Sequence, residues 1–289
     1  MPTVGQVVKA AAVRGVPLAC PACHAALDDR RELLRCNACG REYSMVEGRP
    51  RFIEPQGQWS PPVAESGGWF RRRLARPPHP ARFAGELTSS GVTNDHRALR
   101  EFLAAVPEGG HLLDLGSGER RLKEGAVNVD VVSSPSVDVI ADAHQLPFPD
   151  AVFDAVVLQS VIEHVLEPER VLAESSRVIK PAGRIWVEAP FLYPVHDSSD
   201  YYRWTVAGLR HVVSKHFVVV QSGAVMGPSS ALSLGWRTYI NWRLRRVHWG
   251  FRNSVAWLTS WIKRLDADEV LAEPPEIYAQ AFVLGAKAD

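Results

Sequence analysis

Sulfur and net charge are what this chain has least of. It carries 4 cysteines and 3 methionines in 289 residues, and its 33 Lys and Arg nearly cancel its 32 Asp and Glu, leaving a formal net charge of +1. A disulfide framework spread along the chain is therefore excluded. The balance also gives no global electrostatic pull toward nucleic acid or a membrane surface. Long apolar runs are missing as well. No stretch of about 18 apolar residues occurs, so no membrane-spanning helix is expected. Lys9 and Arg14 interrupt the apolar start, so no secretory leader is expected and the chain reads as cytoplasmic. No internal repeat stands out. Apolar residues make up 46% of the sequence, which is ample for a core, and the length suits one large domain plus a small one.

All four cysteines lie in one segment. Cys20, Cys23, Cys36 and Cys39 form CPAC and CNAC, with 12 residues between the pairs and Gly40 behind the second. Two close Cys pairs can each wrap a knuckle around one tetrahedral zinc, and four thiolates leave that ion no open position. The alternatives are two disulfides or free thiols, and without a leader disulfides are disfavoured. Residues 1–54 are thus expected to form a zinc ribbon with a structural metal, His24 being surplus to a complete site. With Tyr43 and the Gly48–Pro50 turn, the segment resembles the small zinc-ribbon activator subunit of tRNA and protein methyltransferases. Residues 55–92 read as a linker. They hold Pro55, Pro61, Pro62, Pro77, Pro78 and Pro80 and the cluster Arg71, Arg72, Arg73 and Arg76, a composition that builds no core.

The remainder, 93–289, alternates helical and strand patterns. TNDHRALREFLAA (93–105) reads as a helix with a Thr or Asn cap. Short apolar runs then follow, with the length and β-branched content of strands buried in a parallel sheet: LLDL, VNVDVV, VIADAHQLPF and FDAVVLQ. Asp114, Asp130 and Asp142 fall where such strands emerge at their carboxyl ends, the place where open α/β sheets bind ligands. Asp154 opens a strand instead and reads as structural. Gly116 and Gly118 follow Asp114, and glycine lets backbone approach a ligand closely.

Taken residue by residue, 112–190 resembles a class I methyltransferase that uses S-adenosylmethionine, the type 11 group in particular. The resemblance implies a Rossmann-like α/β fold with a seven-stranded sheet. It implies that Asp114, Gly116 and Gly118 form the cofactor loop and that Asp130 accepts the ribose hydroxyls. Asp142 and the backbone of Ala143 would read the adenine, while Gln159 and Ser160 would lie under the methionyl portion. RVIKPAG stands where the family has RVLKPGG. The family's third glycine is absent, Glu119 and Arg120 follow Gly118, and about ten residues separate the loop from the next strand. The intervening helix is therefore expected to shrink to about two turns.

After the fifth strand the chain reads EAPFLYPVHDSSDYYRWT (188–205), dense in polar and aromatic groups. Its place puts it over the transferable methyl. His196 is the expected general base, because neutral imidazole takes a proton near pH 7. Asp200 is expected to orient it or bind a substrate hydroxyl, and Arg203 to hold a carboxylate or phosphate. The phrase P-x-H-x-x-x-D-Y-Y-R-W-T resembles methyltransferases acting on polysaccharide or glycolipid precursors, which implies O-methylation of a sugar or glycolipid-like acceptor. Two rival readings stand beside it. One is an RNA or protein methyltransferase with its activator ribbon fused in cis, against which LQSVIEH lacks the N-P-P-Y type of tetrad. The other is a scaffold that keeps the cofactor fold without catalysis.

Residues 236–265 carry seven Lys and Arg, no acid, and five of the nine tryptophans. Ile240, Leu244, Val247 and Phe251 continue a helical stripe, with Trp and Arg largely opposite. This inserted amphipathic helix suits a membrane surface on the inner face, a homodimer contact, or, less well, nucleic acid.

Overall fold

The computed structural model describes residues 9–30, 32–53, 96–197, 199–243, 262, 265–266 and 270–288. The 55–92 linker and residues 244–261 of the Trp/Arg segment lie outside them.

The amino-terminal unit consists of short strands: β1 (Lys9–Ala10), β2 (Ala12–Val13), β3 (Val16–Pro17), β4 (Leu27–Asp29), β5 (Leu33–Cys36), β6 (Glu42–Val46) and β7 (Arg49–Pro50). β2 and β3 pair with each other, and the rest form one sheet in the order β1-β4-β5-β6-β7. A sheet this small cannot bury a core alone. Val16, Leu18, Leu27 and Leu34 instead join the main domain in one apolar cluster. The ribbon docks on an edge of the larger sheet. Arg51 bridges Ile140 in parallel, Phe52 N donates to Ile140 O at 2.8 Å, and Ala19 N donates to Pro147 O at 2.9 Å. Arg14 Nε pairs with Asp138 Oδ1 at 2.9 Å. An edge strand that would otherwise offer open backbone groups is covered in this way.

The main sheet contains β8 (Leu112–Leu115), β9 (Val127–Asp130), β10 (Val139–Ile140), β11 (Phe153–Gln159), β12 (Ile179–Pro190), β13 (Val218–Val225), β14 (Val270–Leu271) and β15 (Gln280–Ala286). Their order is β10-β9-β8-β11-β12-β15-β13-β14. β8 to β12 are parallel, and β15 runs antiparallel between β12 and β13. The expected seven strands are present, and the two-residue β14 adds an eighth at the edge. All four residues of β8 are buried, as a strand covered on both faces requires. The chain winds outward from β8 to β10 and then returns to β11. The carboxyl ends of β8 and β11 therefore diverge at a switch point, which leaves a crevice for a ligand.

Four helices are described: α1 (Arg97–Ala104), α2 (Pro168–Val178), α3 (Val206–Val213) and α4 (Pro228–Arg243). α1 buries Leu99 and Phe102. Its cap is His96, not Thr93 or Asn94: His96 Nδ1 accepts from Leu99 N at 3.3 Å. This ring caps because its other nitrogen is fixed in the core by Glu188, at 2.9 Å. α4 begins eight residues before the expected start at 236, and Asp266 holds its N-terminus. The Asp266 carboxylate accepts from Ser229 N at 2.6 Å and from Ser230 Oγ at 2.7 Å, placing negative charge at the positive end of the helix. The described part of the Trp/Arg segment has the expected sidedness, with Ile240 buried and Trp236, Tyr239 and Trp242 exposed.

One expectation fails. No helix, shortened or full, joins the glycine loop to β9; residues 116–126 are turns and bends. Arg121 replaces it as the organiser. Its guanidinium donates to Ala126 O at 2.6 Å, to Ser136 O at 2.8 Å and to both oxygens of Asp138 at 3.1 Å. A segment gathered on one guanidinium satisfies its carbonyls without helical bonds.

Candidate cofactor and acceptor site

The glycine loop leaves β8 at the switch point. Gly116 has φ +73°, and a Cβ there would stand 3.1 Å from Val161 Cγ1 and closer still to Cγ2. Only glycine meets both constraints. Asp114, one residue inside the strand end, is 1% exposed, and its Oδ2 has no hydrogen-bond partner among the described residues. Burial pushes its carboxyl up to about 7, against the opposing pull of the Arg120 charge. A buried carboxylate oxygen without a donor is a place for a cationic group.

Asp130 ends β9 and closes the loop onto it. Its Oδ2 accepts from Gly118 N and its Oδ1 from Val132 N, both at 2.8 Å. Burial raises its pKa, and these backbone donors offset part of the rise. Asp142, two residues past β10, is bound through Oδ1 to His144 N at 2.9 Å and His144 Nδ1 at 2.6 Å. Burial pushes this carboxyl up, but the His144 bonds prevail and hold it below the usual range. Ala143 is buried beside it. Asp154 stands at the opposite end of the sheet, where its Oδ2 accepts from His111 N and Lys180 Nζ, both at 2.8 Å. The structural reading of Asp154 fits that position.

Beneath the crevice lies a polar floor that sequence reasoning did not foresee. Arg120 donates to Gln159 Oε1, and Gln159 Nε2 donates to Glu188 Oε2 at 3.1 Å. The same oxygen accepts from His96 Nε2 at 2.9 Å and Trp186 Nε1 at 3.2 Å. His96 and Glu188 are wholly buried and stand 92 positions apart, so no local pattern announces the pair. Ser160 takes φ +56° at the end of β11, and its Oγ accepts from Gln280 Nε2 at 3.3 Å. Gln159 and Ser160 therefore do reach the strand end where they were expected.

The loop after β12 folds back over the end of β11. His196 Nε2 lies 3.0 Å from His164 Nε2, and His196 Nδ1 lies 3.0 Å from Asp200 Oδ2. Arg203 grips Asp200 with both terminal Nη atoms, the Nη2–Oδ2 distance being 2.7 Å, and its Nε donates to Tyr193 O at 3.1 Å. The three expected residues are thus brought together, but Arg203 is engaged within the loop rather than extended toward a ligand. Glu163, which the sequence places at the end of β11 with Gln159, Ser160 and His164 but without a role of its own, proves notable. It is fully buried, neither of its oxygens has a hydrogen-bond partner among the described residues, and burial pushes it up to about 8.

The four cysteines converge as expected. Cys20 Sγ lies 3.7 Å from Cys39 Sγ and Cys23 Sγ lies 3.4 Å from Cys36 Sγ, and all four sulfurs fall within 4.8 Å of one another. These distances are too long for disulfides. They match the roughly 3.8 Å edge of a tetrahedron with metal–sulfur bonds of about 2.3 Å. Residues after each second cysteine take positive φ, His24 at 57° and Gly40 at 72°, which turns each pair into a knuckle. Tyr43 OH lies 3.0 Å from Cys20 Sγ.

Residues 119–187 match the family model described as a methyltransferase domain. The demethylmenaquinone methyltransferase of Paenarthrobacter aurescens is 35% identical over 127 residues, 38% of this chain and 50% of the relative. The ubiquinone/menaquinone biosynthesis C-methyltransferase UbiE of Citrobacter koseri is 31% identical over 126 residues, 42% of this chain and 49% of the relative. The chain spans about half the length of these curated relatives. Among solved structures, a chain from the complex of the Haloferax volcanii Trm112 methyltransferase activator with a methyltransferase is 15% identical at TM-score 0.45, covering 80% of this chain and 100% of that one. The methyltransferase-domain match over 119–187 thus falls within a parallel α/β sheet with a glycine loop at its switch point, joined at its amino side to a four-cysteine ribbon. Among the described residues no helix is long and apolar enough to cross a membrane.

Proposed function

We propose that this protein transfers the methyl group of S-adenosylmethionine to a hydroxyl oxygen of a sugar-type acceptor, such as a polysaccharide or glycolipid precursor. The cofactor would be held by the loop Asp114-Leu115-Gly116-Ser117-Gly118, with Asp114 facing its cationic end. Asp130 would take the ribose hydroxyls, Asp142 and Ala143 the adenine, and Gln159 and Ser160 the floor. The bare Oδ2 of Asp114 suits that ligand. When bound, the cofactor supplies an electrophilic methyl carbon on sulfur.

The observation that carries the acceptor reading is the imidazole of His196, backed by Asp200 at 3.0 Å on a loop that closes over the end of β11. As an acceptor oxygen took that methyl group from sulfur, its hydroxyl proton would pass to His196 Nε2. Asp200 orients the ring, and Arg203 fastens Asp200. Tyr193, Tyr201, Tyr202 and Trp204 offer the aromatic faces on which sugars stack. The ribbon would carry one structural zinc on Cys20, Cys23, Cys36 and Cys39.

A second reading is transfer to a ring carbon of a quinone precursor, favoured by the named activities of the relatives from Paenarthrobacter and Citrobacter. Incubation with methyl-labelled cofactor and separated glycan, lipid, quinone, RNA and protein fractions decides between them. Label in the glycan or glycolipid fraction supports the oxygen reading, and label in the quinone fraction replaces it. His196→Ala is expected to lower turnover by about 10²–10⁴-fold. Full turnover in that variant rules out His196 as the base.

A further inference from the structure

The two imidazoles at the acceptor loop are arranged in a way that a proton relay alone does not explain. His164 Nδ1 faces Ser199 O at 3.1 Å. His196 Nδ1 faces Asp200 Oδ2 at 3.0 Å and Pro194 O at 3.3 Å. Both Nδ1 atoms thus meet acceptors only, which places their protons there. In the neutral rings both Nε2 lone pairs then point at each other across 3.0 Å. Two ligand nitrogens at about 2.1 Å from one ion and at right angles stand roughly 3.0 Å apart.

A third donor closes the set. Glu163 precedes His164 at the end of β11, and its Oε1 lies 3.8 Å from His164 Nε2. One ligand atom from each of Glu163, His164 and His196 falls within 4.8 Å of the others. Glu163 is wholly buried, yet neither carboxyl oxygen has a hydrogen-bond partner among the described residues. A buried carboxyl left without donors is held ionised only where a cation meets it.

We infer that Glu163, His164 and His196 hold a divalent transition-metal cation. Two imidazoles and one carboxylate suit zinc, iron or manganese and leave positions open on the exposed side of His196. The site is separate from the four-cysteine ribbon. Asp200 and Ser199 O serve as the outer partners that fix the two rings, an arrangement usual for histidine ligands. For its consequence, though not for metal binding itself, the inference rests on the oxygen-acceptor reading. With the ion bound, an acceptor hydroxyl on it would lose its proton more readily and to water, which keeps the oxygen acceptor but replaces the transfer to His196 Nε2 proposed above for the metal-free site.

The test counts metal in the full chain. Protein loaded in turn with Zn2+, Mn2+ and Co2+, then freed of loose ions by gel filtration, is analysed by inductively coupled plasma mass spectrometry. For at least one of these metals, wild type is expected to retain one more ion per chain than Glu163→Gln or His196→Ala. Asp200→Asn is expected to weaken that site by about 10–100-fold. His196 is exposed, so its variant reports even where the substitution at buried Glu163 prevents folding. Equal counts in wild type and folded His196→Ala for all three metals overturn the inference. An extra ion with no methyl transfer to any hydroxyl acceptor leaves the metal site standing and sinks the oxygen-acceptor reading. Transfer to a hydroxyl with no extra ion does the reverse.

Discussion

Replacing Gly116 with alanine tests the geometry of the glycine loop through two separable effects. The first is backbone: φ is +73°, and an L-residue in the left-handed region costs about 1–2 kcal/mol. The second is steric. The new Cβ would press on both γ-carbons of Val161, and overpacking of this kind costs about 1–3 kcal/mol. Together they predict a loss of about 3 kcal/mol. Val161→Ala removes the steric part and leaves the backbone part. In that background Gly116→Ala should therefore cost only about 1–2 kcal/mol, a coupling of about 1–2 kcal/mol between the two positions. Urea unfolding of the four proteins measures each quantity, provided the slopes agree. A single-variant cost under about 0.5 kcal/mol, or a cost unchanged by Val161→Ala, refutes the reasoning.

Asp114 should make the cofactor-free protein pH-sensitive. Burial raises its folded-state pKa from 3.8 to about 7, so the folded state binds its proton more tightly than the unfolded chain does. Stability should then be greatest below about pH 4 for this group and decline as pH rises toward 7, by at most about 4 kcal/mol. Asp114→Asn should flatten that decline in urea midpoints taken from about pH 5 to 8, and an unchanged slope counts against the assignment. Chelation should act through the ribbon. Stripping the ion from the four cysteines is expected to open residues 9–53 to proteolysis and to bare the β10 edge, with Cys36→Ser doing the same without chelator. A ribbon equally resistant with and without chelator contradicts a structural metal.

Much of the sheet's first half is legible in the sequence because three of its strands run out into an aspartate. Asp114, Asp130 and Asp142 close apolar runs of strand length, and the structure puts all three at the carboxyl edge. The cysteine spacing likewise announces a four-thiolate cluster. What fails to show depends on partners distant in the chain. His96 caps α1 only because Glu188, 92 positions on, holds its other nitrogen. The expected short helix after Gly118 gives way to turns because Arg121 gathers carbonyls from 126 and 136, a tertiary effect invisible to periodicity. α4 starts earlier than the Trp/Arg stripe suggests, at Pro228 behind Gly227, a helix-start signal that the stronger stripe overshadows. That Glu163 is buried with neither carboxyl oxygen hydrogen-bonded among the described residues becomes evident only in three dimensions. In the loop after β12 the residue types single out His196, Asp200 and Arg203, which do lie together, while the engagement of Arg203 by Asp200 becomes evident only in three dimensions.

Calorimetric titration of the folded protein with S-adenosylmethionine tests the central claim most directly. One saturable site per chain is predicted, weakened at least about tenfold by Asp130→Ala, whose lost carboxylate would leave the ribose hydroxyls unmet. No heat at high ligand concentration, or equal affinity in wild type and variant, would contradict the account.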